Sequence, residues 1–76
     1  MRVLFAVMNG FELLRARRLA GLTQSELAAR AGVNVRTVTR IERGDVTPNM
    51  ATVHMLASAL GVPVARLVAS DEGRTA

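Results

Sequence analysis

Gly21, Gly32, Gly44 and Gly61 punctuate this chain, and the short runs between them set what it can fold into. Upstream of Gly21, the run from Phe11 to Ala20 has helical period, with Leu13, Ala16, Arg17 and Ala20 on one face. Asn9-Gly10 separates that run from an apolar opening. Thr23 and Glu26 form a capping box that opens a second helix, with Leu27, Ala28 and Ala31 turned inward and Gly32 at its end. Asn34 caps a third helix from Val35 to Arg43, which Gly44 stops. Asp45 to Pro48 is a loop, and Asn49 caps a fourth helix with Met50, Val53, Ala57 and Leu60 as its inner stripe, ended by Gly61. Val62-Pro63 leads into a short fifth helix from Val64 to about Val68.

Composition narrows the class. A chain of 76 residues supports one core, and the expected organisation is an extension over 1–9, a globular unit over 10–69 and a flexible polar tail over 70–76. The only aromatics are Phe5 and Phe11, so the core comes from aliphatic side chains and alanine, which suits closely packed short helices of the all-α class. The absence of cysteine excludes disulfides and thiolate metal sites. The apolar run Val3–Met8 is too short for a secretory signal, and no stretch approaches the roughly 20 residues of a membrane span. A soluble, cytoplasmic protein is expected. The opening run is rich in β-formers and has two readings: a strand that pairs with the same strand of a second subunit, or an upstream extension of a chain that starts functionally at Met8.

The corner between the second and third helices is only Gly32-Val33-Asn34. Two short helices joined so tightly, with glycine first, read as a helix-turn-helix. Around the third helix two walls separate: Val38 and Ile41 point one way, while Arg36, Thr39, Arg40 and Arg43 cluster on the other. The net charge is +4 and every basic residue is arginine, whose planar fork suits phosphate and guanine edges. The major groove admits one α-helix. Val35, Arg36, Thr39 and Arg40 are therefore the candidates for base contact, Val35 either touching a thymine methyl or being partly buried. The free N–H groups at the start of the second helix make Thr23 and Gln24 candidates for the DNA backbone. Thr37 and Arg43 of the third helix and Thr47 in the loop complete that set.

The run Gly21-Leu22-Thr23-Gln24-Ser25-Glu26-Leu27-Ala28, then Ala31-Gly32-Val33, then Val38-Thr39-Arg40-Ile41-Glu42-Arg43-Gly44 resembles the phage-repressor/Cro (XRE-like) family of helix-turn-helix domains. Pro48-Asn49 and Leu56–Val62 resemble the fourth helix of that family and its exit. The resemblance implies a compact five-helix, lambda-repressor-like domain that binds double-stranded DNA, usually as a homodimer, and most often represses transcription. Its recognition helix falls on residues 35–43. It also implies a structural salt bridge between Arg17 and Glu42, consistent with the cost of leaving an arginine unpaired on an otherwise apolar stripe. The loop after Gly44 departs from the family in carrying Asp45 where basic residues are common.

Rival functions are weaker. His54 is the only histidine, placed by spacing at the edge of the inner stripe of the fourth helix as a partly buried structural residue. Glu26 and Arg30 form an i, i+4 surface pair. No acid–base pair, metal-ligand spacing or phosphate-cradling loop is present, so no enzyme activity, cofactor or metal is expected. RNA lacks its aromatic stacking platforms. The alternative function is an antitoxin or adaptor of the same fold that binds a toxin or other protein, with Met55 and the Val62–Val64 corner as the apolar patch. That patch is assigned first to a homodimer.

Overall fold

The computed structural model describes residues 6–70. In chain order the elements are β1 (Ala6–Met8), α1 (Gly10–Leu19), α2 (Gln24–Ala31), α3 (Val35–Arg43), α4 (Met50–Leu60), a 3-10 turn (Val64–Arg66) and β2 (Val68–Ser70). The body is helical, and every α-helix starts at a side-chain cap: Asn9, Thr23, Asn34 and Asn49. Each such cap contributes about 1 kcal/mol. Asn9-Gly10, a break by sequence, is where α1 begins. The Asn9 Oδ1 accepts from the N–H groups of Phe11 and Glu12 at 3.0 and 3.3 Å.

Gly10 is fixed by a close crossing of α1 over the end of α3. A Cβ there would overlap the Ile41 carbonyl oxygen and lie 3.1 Å from that of Glu42. Both obstacles are backbone and cannot swing aside. Gly10→Ala is expected to lower stability by about 1–3 kcal/mol, read as a fall in melting temperature. An unchanged melting temperature would contradict the crossing.

Leu13, Leu27, Ala28, Ala31, Val38, Ile41, Val53, Leu56, Ala57 and Leu67 are the buried apolar residues. Each fully buried Leu, Ile or Val among them contributes roughly 1.5–3 kcal/mol relative to exposure. Three expectations for inward residues are corrected. Ala20 is exposed at the C-cap of α1, Met50 is 44% exposed at the first position of α4, and His54 is exposed. Leu56, not Met50, completes the inner face of α4. The helix is apolar on nearly every side, so its pattern does not fix which face turns in.

The expected fifth helix is a single 3-10 turn, after which the chain extends. Past the turn, Val68 favours extended backbone, and pairing with β1 holds the chain out of a continued helix. β2 pairs antiparallel with β1, Ala6 opposite Ser70 and Met8 opposite Val68, and the Asn9 N–H adds a bond to the Leu67 carbonyl at 2.9 Å. Part of the apolar opening is thus a strand, and within the chain it pairs with β2. Ser70, placed by sequence in the tail, belongs to that ribbon. The rest of the expected extension (residues 1–5) and of the expected tail (residues 71–76) lies outside the described residues.

Candidate nucleic-acid interface

The surface begins at the corner. Gly32 takes a left-handed φ of 73°, which a side chain resists. Its N–H returns to the end of α2, and the Val33 N–H bonds the Ala28 carbonyl at 3.0 Å. The Asn34 side chain then accepts from the Arg36 N–H at 2.8 Å and restarts the helix. α3 buries Val38 and Ile41 and leaves Val35, Arg36, Arg40 and Arg43 exposed, with Thr37 and Thr39 half-buried. Val35 is 42% exposed at the first position of α3. Thr23 and Thr47 are exposed, and Gln24 is half-buried at the first position of α2.

Glu42 is the hub behind this wall. Arg17 donates to it through Nε to Oε2 at 2.7 Å and through Nη2 to Oε1 at 3.0 Å. The Arg17 Nη1 also donates to the Leu22 carbonyl at 2.9 Å, which ties in the α1–α2 connection. The side chains of the pair are 11% and 3% exposed, so this is a buried, two-pronged ion pair joining α1 to α3. The hydrogen bond to Glu42 raises the Arg17 pKa above its ordinary value, burial opposes, and the charge of Glu42 adds to the rise. A raised value stabilises the fold below the unfolded pKa, so this contribution is fully present across the physiological range.

The hub extends outward. Gln24 donates from Nε2 to Glu42 Oε1 at 2.9 Å, and Thr39 donates toward Gln24 Oε1 at 3.0 Å and toward the Val35 carbonyl at 3.1 Å. Among the described residues, no buried side-chain polar atom lacks a partner. The sequence places Gln24 at the DNA backbone and Thr39 at a base, yet the two side chains touch. Nothing in a linear pattern signals that, because they sit on different helices. Arg43 is engaged as well, lying 3.4 Å from Asp45 in an exposed pair. Glu26 turns back to accept from the Thr23 N–H at 2.8 Å, closing the capping box instead of pairing with Arg30.

Away from this wall, Arg30, Ala31, His54, Met55, Ser58 and Ala59 line an open groove between α2 and α4. Met55 is 40% exposed there, while Val62 and Val64 are half-buried against the core. Among the described residues no cluster of His, Asp or Glu gathers as a metal site, and no helix is long and apolar enough to cross a membrane.

A capped helix, a three-residue corner and a second helix with one basic wall, all held on a small helical body, define a helix-turn-helix unit. Residues 13–67 match the helix-turn-helix family model. An uncharacterized HTH-type transcriptional regulator of Sinorhizobium fredii is 42% identical over 59 residues, which is 78% of this chain and 77% of that one. The cryptic phage CTXphi transcriptional repressor RstR of Vibrio cholerae is 41% identical over 51 residues, 67% of this chain but 46% of the repressor. Among solved structures, the restriction-modification controller protein C.AhdI of Aeromonas hydrophila superposes with a TM-score of 0.73 at 30% identity, covering 75% of this chain and 86% of that one. The chain belongs to the helix-turn-helix family and is a DNA-binding regulator of transcription.

Proposed function

We propose that this regulator represses transcription by laying α3 in the major groove of its operator. Arg36 and Arg40 bond guanine edges, Val35 packs against a thymine methyl, and Thr39 meets a base beside them. Thr23, Gln24, Thr37, Arg43 and Thr47 contact phosphates on either side. The observation that carries this reading is the division of α3: Val38 and Ile41 are buried while Arg36 and Arg40 stand exposed on the opposite wall. An adaptor with no DNA role has no use for two arginines there. The chemistry is binding, not catalysis, and the site of action is the cytoplasm, at the nucleoid.

The chain acts as a homodimer, with Met55 and the groove beside it as the contact face. Two recognition helices then meet half-sites separated by about one turn of DNA, roughly 34 Å. Selection of bound sequences from random duplexes, with the mass of the protein measured in solution, tests both parts. Enrichment of a two-fold site by a species of twice the chain mass is expected. Failure to retain any duplex at low salt would contradict DNA binding, and a monomer mass at binding concentrations would contradict the dimer.

Asp45 holds the Arg43 guanidinium and adds a negative charge close to where a phosphate would lie. An exposed pair of this kind contributes about 0–1 kcal/mol to stability. Asp45→Asn is therefore expected to leave folding nearly unchanged and to tighten binding to specific and random DNA alike, by several-fold. The tightening should be larger at low salt. Weaker binding by Asp45→Asn would mean that Asp45 positions Arg43 for its phosphate.

A further inference from the structure

The hydrogen bonds behind α3 have a direction, and that direction reaches the reading surface. A carboxylate accepts only. The Gln24 amide must therefore turn its Nε2 to Glu42, which puts Oε1 on the side of Thr39. The Val35 carbonyl, the other partner of the Thr39 hydroxyl, is also an acceptor. A hydroxyl has one hydrogen and two lone pairs, so the Thr39 hydrogen is committed inside the protein. Resting on the DNA reading above, we infer that Thr39 is a specificity-determining residue that addresses its base pair as a hydrogen-bond acceptor, taking a proton from the exocyclic amino group of adenine or cytosine.

Guanine O6 and N7, adenine N7 and thymine O4 all require a donor, which Thr39 does not offer. Arg36 and Arg40 offer donors only. The reading wall thus carries both polarities, with the acceptor set by a chain that runs from Glu42 through Gln24. The Gln24 amide keeps its second hydrogen, so a phosphate contact at the start of α2 leaves this polarity in place.

The test compares wild type with Thr39→Val, which keeps the side-chain shape and exchanges the hydroxyl for a methyl group. Sequence selection with both proteins identifies the base pair whose preference the hydroxyl supplies. At that pair, the amino group is deleted by replacing adenine with purine or cytosine with 2-pyrimidinone, and separately N7 of the purine is replaced by carbon. Deleting the amino group should weaken wild type roughly fivefold more than Thr39→Val, and replacing N7 should leave the two proteins in the same ratio. Thr39→Ser, which retains the hydroxyl, should retain the dependence on the amino group. The inference is overturned if N7 replacement selectively weakens wild type, if amino deletion weakens wild type and Thr39→Val equally, or if Thr39→Val loses no preference. No enrichment by wild type is a separate result, which removes the DNA reading itself.

Discussion

Glu42→Ala is expected to destabilise the fold by about 3–5 kcal/mol, because it leaves the Arg17 charge buried with no counter-ion. For a domain of this size each kcal/mol lowers the melting temperature by about 4–8 °C, so the loss amounts to more than ten degrees. The effect exceeds that of an ordinary ion pair because Glu42 holds three elements together. Arg17 comes from α1, Gln24 from the start of α2, and Glu42 from α3 itself. Replacing both members of the pair, as in Arg17→Met with Glu42→Leu, should recover much of the stability, since no lone charge then remains. The DNA affinity of that double variant should be lower than that of wild type, because Gln24 loses the Glu42 carboxylate that orients it. A melting curve of Glu42→Ala that overlays wild type would contradict the hub.

The second large effect falls on recognition. Arg36→Ala and Arg40→Ala should each weaken binding to the selected site by about 1–3 kcal/mol while changing random-sequence binding far less. Both side chains are exposed and away from the core, so the melting temperature should hold. Arg43→Ala gives the contrasting result: uniform weakening on all sequences and a salt slope reduced by about one. The difference between these outcomes separates contact with base edges from contact with phosphate. Equal loss on specific and random DNA for Arg36→Ala and Arg40→Ala would assign both arginines to the backbone.

The corner and the helices flanking it were legible in the sequence because their determinants are local. Thr23 and Glu26 lie within one helical turn, and Gly32 and Asn34 bound the turn they make. Asn9 is local too, but followed by glycine it reads as a turn signal, and only tertiary contact with α3 explains why glycine is needed at position 10. The face of α4 was not legible, since Met50, Met55, Leu56 and Leu60 leave several apolar sides to choose from. The β1–β2 ribbon joins the two ends of the described chain, a pairing that no window of sequence contains. The same holds at the interface. The basic wall of α3 follows from helical period, whereas the bonds from Glu42 to Gln24 and from Gln24 to Thr39 cross between helices and exist only once these pack.

Methylation interference on the selected operator tests the placement of α3 most directly, because dimethyl sulfate marks guanine N7 in the major groove and adenine N3 in the minor groove. Methylated guanines within the half-sites should be depleted from the bound fraction with wild type, and that depletion should disappear at one guanine in Arg36→Ala and at another in Arg40→Ala. Interference confined to adenine N3, or a guanine pattern identical in all three proteins, would contradict a recognition helix lying in the major groove.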